Sequence, residues 1–256
     1  MLNPLSTARN TRTRRALALA ALLPALAGAA LAGTSGAAFA ASEPPTTDAK
    51  NTALVHQIYA DLLNREPDPS AAGWVHVLDI AAPRRDVANA ITASQEYRQR
   101  LVSAGYIDYL HRSPEPQGLA AWVGDLGQGL TVEQLGAAIL GSPEAYNTAG
   151  GSDMLWVTNL YQGVLGRLPA AAETASWVAV LSRGGGRTSV AQGFVSSLEH
   201  RNTVVAGYYT KYLGRDADVG GRDGWVAALA GGARQEQIIA GFIASEEYYV
   251  LAQVPH

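Results

Sequence analysis

The stretch Gly214–Trp225, GRDADVGGRDGW, spaces acids and glycines much as a calcium loop does, with Asp216 and Asp218 alternating and Asp223 near its end. Counted as an EF-hand loop from Asp216, Gly221 falls at the turn position. Positions 5, 9 and 12 are then Gly220, Gly224 and Ala227, so the bidentate glutamate is missing. Ser-x-Glu occurs four times, as Ser94/Glu96, Ser142/Glu144, Ser197/Glu199 and Ser245/Glu247, and puts a hydroxyl near a carboxylate. A hydrolytic triad also needs an oriented base, and His200 is the one histidine in that frame. His56, His76, His111, His200 and His256 form no i, i+4 pair of the kind that holds zinc. Gly184–Gly186 lacks the Lys-Ser/Thr and the strand of a phosphate loop. Asp and Glu are plentiful enough for glycoside hydrolysis, yet no pair stands out. The sequence therefore assigns no catalytic, cofactor or metal residue.

Those same residues recur in a fixed frame. Trp74, Trp122, Trp177 and Trp225 follow Arg65, Arg112, Arg167 and Arg215 by nine or ten positions. Six residues before each arginine stands Tyr59, Tyr106, Tyr161 or Tyr209. Four after each tryptophan is Leu78, Leu126, Leu181 or Leu229, and twenty after it is the serine of Ser-x-Glu. Such self-similarity marks a tandem repeat. The tryptophan spacings are 48, 55 and 48, and the seven additional residues are the turn-rich Asn147–Asp153. The chain is thus expected to hold two tandem pairs, 53–147 and 154–256, with a joint at 148–153. A residue needed once per structural unit is usually structural. Arginine forks are expected to pin helix junctions, and the Tyr and Trp rings to lie in the core with their polar atoms reaching carbonyls.

The elements that must position these residues read as helices. Leu54, Val55, Ile58, Leu62 and Leu63 share one helical face, as do Leu119, Trp122, Val123 and Leu126. Asp68 and Glu115 stand before prolines where a helix N-cap belongs. Gly129, Gly184 and Gly232 stand where a left-handed residue ends a helix. TVEQLGAAILGS and QEQIIAGFIAS give a third helix. Each recurring serine then caps the next helix, with its glutamate in the positive first turn. The fold is expected to be all-α, with about three helices per copy packed as two pairs.

The N-terminus reads as an export signal. Arg9, Arg12, Arg14 and Arg15 precede the apolar Ala16–Ala32, and Ala38-Phe39-Ala40 supplies small residues for cleavage between Ala40 and Ala41. The run is broken by Pro24 and Gly28, short of a retained span. Thr13–Leu17 only partly matches a twin-arginine signal. Cleavage removes four of 19 Lys and Arg and none of 22 acids, leaving a net charge of −7. That balance argues against nucleic acid and anionic membranes as partners. With no cysteine in the chain, disulfides and thiolate sites are excluded. Residues 41–52 lack apolar periodicity and read as a flexible linker.

The pattern Tyr-x5-Arg-x-Pro-Asp, Gly-x3-Trp-x3-Leu and Phe-x2-Ser-x-Glu-Tyr resembles the bacterial family of domain of unknown function 4214. It is carried by YADLLNREPD, GWVHVL and ITASQEY in the first copy, and by YYTKYLGRDADVGGRDGWVAALAGG and FIASEEYY in the fourth. The third copy departs most, with Ala170 for the acid and Glu173 for the glycine. The resemblance implies a helical module of exported and surface proteins, often beside calcium-binding repeats, and is similar to helical linker polypeptides that act as scaffolds in light-harvesting assemblies. It implies no reaction. The expected function is an exported, non-catalytic interaction or scaffold module that binds a protein or a cell-surface glycan. The alternatives are a carbohydrate- or cell-wall-binding protein using exposed aromatics such as Tyr248 and Tyr249, and a polysaccharide hydrolase using Asp/Glu.

Overall fold

The computed structural model describes residues 46–254; the expected signal 1–40 and its cleavage point lie outside them. The described chain is all-α, with fourteen α-helices, two π-helical turns, one 3-10 turn and no strand. None of its helices is long and apolar enough to cross a membrane.

Helix α1 (Thr47–Ile58) begins inside the stretch read as linker. Its first turns carry no apolar stripe because polar contacts hold them. Thr46 accepts from the Ala49 N–H, Asn51 donates to Asp79 at 2.7 Å, and Gln253 donates to the Lys50 carbonyl. A π-turn, Tyr59–Leu63, extends α1. Then come α2 (Ala72–Asp79) and α3 (Arg84–Thr92). α4 (Gln95–Leu110) leads to α5 (Pro116–Gly127), α6 (Val132–Leu140) and the short α7 (Pro143–Thr148). The second half runs through α8 (Asp153–Leu165), α9 (Ala171–Ser182), α10 (Arg187–Val195) and α11 (Leu198–Tyr208), which a second π-turn, Tyr209–Leu213, extends. It ends with α12 (Val219–Ala230), α13 (Gln235–Ala244) and α14 (Glu246–Leu251).

Four successive segments share one local plan. A helix carrying the tyrosine stops at a left-handed residue, Asn64, His111, Gly166 or Gly214, directly before the arginine. The tryptophan helix follows and ends just before a second left-handed residue, Ala81, Gly129, Gly184 or Gly232. A third helix then runs to the capping serine. The 48-residue spacings arise where α4 and α11 with its π-turn serve as the last helix of one segment and the first of the next. The 55-residue spacing arises because that helix is broken into α7 and α8 at Gly150 and Gly151, both at positive φ.

The cores do not follow the sequence halves 53–147 and 154–256. The largest apolar cluster joins Leu54, Ile58, Val87, Ala88 and Ile91 to Val205, Ile239, Ala240, Ile243 and Tyr248. A second joins Ala137 and Leu140 to Val157, Leu160, Ala191 and Phe194, and a third lies under α4, α5 and α6. The reason is helix pairing: α3 packs on α13, and α6 packs on α10. The first segment therefore meets the fourth, as the second meets the third. Ala88, Ala137, Ala191 and Ala240 are all fully buried on these four helices, where a small side chain lets helix backbones approach closely.

Candidate functional site

The residues singled out by the sequence gather at four clasps of one design. Arg65 offers Nε and Nη2 to the two oxygens of Glu96 at 2.6 and 2.8 Å. Arg112 does the same to Glu144, Arg167 to Glu199 and Arg215 to Glu247, with Nε contacts of 2.5–2.6 Å. Each guanidinium also bonds the carbonyl of the next residue and lies over its tyrosine, 4.8–5.1 Å from the ring centroid. This bidentate fork is the strong form of a charge-assisted bond. It ties the end of each segment's first helix to the helix that follows the capping serine, α4, α7 and α11 in the first three segments. For the last clasp the partner is α14, which supplies Glu247.

The serines stand at helix starts. Ser94, Ser142, Ser197 and Ser245 each accept the N–H three residues on, from Tyr97, Ala145, His200 and Tyr248, at 3.1 Å. Each glutamate of the clasp thus sits in a capped first turn, where the helix dipole favours its charge. The arginine hydrogen bonds hold Glu96, Glu144 and Glu199 below the ordinary carboxylate range.

The tryptophan partners differ from the carbonyls expected. Trp74, Trp122 and Trp177 donate Nε1 to the hydroxyls of Tyr59, Tyr106 and Tyr161, each at 3.2 Å. The four tyrosines are buried and the four tryptophans partly exposed. An indole N–H satisfied by a phenol leaves the hydroxyl proton for a further acceptor.

A second carboxylate completes each clasp. Arg65 meets Asp68 at 3.0 Å, Arg112 meets Glu115 at 2.7 Å and Arg215 meets Asp218 at 3.5 Å. The third segment has Ala170 at that place, yet Glu173 reaches Arg167 at 2.8 Å. Glu173 also accepts the Ala170 N–H at 2.8 Å, and the arginine bonds, chiefly, hold it at about 2. In the second and fourth segments the Glu173 place is glycine, where a side chain would crowd the tyrosine: a Cβ on Gly221 would land on the Tyr209 hydroxyl, and one on Gly118 would come within 3.3 Å of that of Tyr106, while the first segment has Ser70 there. The two departures of the third segment are one change, in which the carboxylate moves from position 170 to position 173.

GRDADVGGRDGW contains the last clasp. Asp218 caps α12 by accepting the Gly221 N–H at 2.8 Å and meets Arg215, while Asp223 pairs with Arg222 at 3.0 Å. No three His, Asp or Glu side chains gather as a metal site among the described residues. His200 is half-buried, its Nδ1 3.1 Å from the Val164 carbonyl, and its partial burial lowers its pKa. It fills the place that Tyr97 and Tyr248 fill in the first and fourth segments.

Tyr248, expected as an exposed aromatic, is 1% exposed and donates to buried Asp61 at 2.9 Å. The fourth segment packing on the first covers it. Tyr249 lies under the Arg84 guanidinium at 4.3 Å, and Arg84 also meets Glu246 at 2.7 Å. Arg187 stacks on Tyr146 at the same distance. Sequence reading missed both stacks because they need contacts between distant segments. It also missed the left-handed residue before each arginine, for which Asn64, Gly166 and Gly214 were a readable signal.

Two open grooves lie at matching places, between the first and second helices of the first and third segments. The first, about 560 Å³, is mixed, with Asp48, His56, Asp68, His76 and Asp79 set among apolar neighbours such as Val55, Pro69 and Val75. The other, about 730 Å³, is apolar, with Met154, Leu168, Pro169 and Val178. Met154 and Leu168 are largely exposed.

The model of the family described as Domain of unknown function (DUF4214) matches residues 136–204 and again 201–251. From α6 to α14 the chain is therefore DUF4214-like, and the matches do not reach residues 53–135. No curated protein and no solved structure matches the chain.

Proposed function

We propose that this chain is an exported, non-catalytic scaffold built of four degenerate copies of one helical module, which binds a protein or cell-surface component through the grooves between its helices. One observation carries the proposal. The charged residues most conspicuous in the sequence are engaged, four times over and in the same geometry, in holding one helix to the next. Repeated units of this kind serve by building extended surfaces. The two matching grooves, one bearing acids and histidines and the other apolar, are concave parts of that surface, and the apolar one fits the interface core of a protein partner.

The test is binding of the chain from residue 41 onward to cell envelopes and to secreted proteins. Met154→Asp with Leu168→Asp should weaken that binding, with helix content unchanged. Absence of binding to either fraction would overturn the proposal. The first groove, with His56, His76 and three aspartates among apolar neighbours, favours a carbohydrate ligand as second reading. Envelope glycan binding that survives the apolar-groove changes and fails in His76→Ala would support it. Polysaccharide turnover lost in Asp216→Asn or Asp223→Asn would support a hydrolase instead. Export is checked by N-terminal sequencing, with Ala41 expected first.

A further inference from the structure

Arg84 over Tyr249 and Arg187 over Tyr146 are the same contact, made once between the first and fourth segments and once between the third and second. The helix pairs α3–α13 and α6–α10 repeat that relation. The chain is built like a two-fold dimer of two-segment halves, with each half using the same pair of faces. Such an isologous surface is self-complementary. One connection, α7 to α8, joins the halves.

That connection differs from the others by the seven residues Asn147–Asp153. Gly150 and Gly151 take φ of +106° and +68°, and their N–H groups return to the carbonyls of Asn147 and Tyr146, which stops α7. Ser152 then starts α8 by accepting the Leu155 N–H. The fifth tryptophan, Trp156, stands outside the recurring frame. It fills the corner, 1% exposed, and donates to the Leu140 carbonyl at 2.9 Å. The matching residues elsewhere are Leu54, Leu101 and Val204. Where the seven residues are missing, the link is an unbroken helix, and the third helices of the two segments it joins do not form a major pair.

We propose that the faces on which α3 meets α13 and α6 meets α10 are an interaction surface whose alternative partner is a second copy of this chain, and that Asn147–Asp153 decides between closure within one chain and pairing between two. With the turn, the halves fold back and satisfy each other. Without it, α7 and α8 run on as one helix, the halves are held apart, and their buried faces are completed by another chain. This concerns the chain's own halves and does not depend on what the grooves bind.

Deleting residues 147–153 tests the proposal by light scattering after gel filtration. The intact chain is expected to be a monomer, and the deletion variant a dimer or larger assembly of unchanged helix content. Since the chain has no cysteine, Arg84→Cys with Glu246→Cys reports the partner. A short bis-maleimide should cross-link them within one chain at full length and between chains in the deletion variant. A monomeric deletion variant with an intrachain cross-link would overturn the proposal. Should that variant not fold, Gly150→Ala with Gly151→Ala keeps the length while favouring helix through the turn. A dimer fraction rising with concentration is then expected, and a monomer at every concentration would overturn the proposal equally.

Discussion

At the scale of single residues, carboxylates hold each clasp arginine in place. Glu173→Gly removes the second acid of the third clasp and should lower the melting temperature. Adding Ala170→Asp restores the arrangement of the other segments and should recover most of the loss, as judged by thermal unfolding; equal melting of the single and double variants would refute the compensation. Gly221→Ala drives a Cβ into the Tyr209 hydroxyl and should cost about 1–3 kcal/mol, the range for overpacked sites. The pH dependence follows from the same groups. Glu96, Glu144 and Glu199 are held below their ordinary value near 4.5, so their contribution is full above that pH. It is lost as pH falls through the folded values, with Glu173 last at about 2. Burial also holds His200 below its ordinary 6.5, so the unfolded chain takes up that proton first. Stability should therefore decline already between pH 7 and 5. His200→Tyr should flatten that part of a melting-temperature profile and leave the fall below 4.5 in place. The residue frame was legible in the sequence because six positions recur in register over four segments. Their partners were less so: the indole N–H groups find phenols, a contact that depends on the angle between two helices.

At the scale of elements, helix ends carry the economy of the fold. The turn after each tryptophan helix is left-handed, and its following residue returns a bond to the carbonyl five back. Glycine fills it three times, and Ala81 stands there at φ +69°. A left-handed non-glycine residue costs roughly 1–2 kcal/mol, partly offset by the lower entropy of the unfolded chain relative to glycine. Ala81→Gly should therefore stabilise by up to about 1 kcal/mol, read as a higher urea midpoint at constant slope. Arg112→Ala should lower the melting temperature by a few degrees with helix content retained. An unchanged temperature would move that arginine from the clasp to some other duty. The sequence made these stops readable through Gly129, Gly184 and Gly232. It hid the start of α1, because the turns from Thr47 are fixed by Asn51–Asp79 and by Gln253, contacts that no local period announces.

At the scale of the whole molecule, the first segment closes on the fourth across some 150 residues of sequence. Tandem order alone predicts neighbours pairing, 53–147 apart from 154–256. The structure couples the ends because the third helices present apolar faces that the intervening connections leave open. Asp61 shows the consequence. It is a buried acid near the start of the described chain, satisfied by Tyr248 near its end. A sequence reading had no way to see Tyr248 as buried, since its cover comes from this closure. The most direct measurement is amide hydrogen exchange under native conditions, which resolves cooperative units within a fold. The closed arrangement predicts that amides of α3 around Val87–Ile91 and of α13 around Ile238–Ile243 open together, with one free energy and one denaturant dependence. Exchange in which residues 47–148 and 153–254 open as two independent units would contradict it.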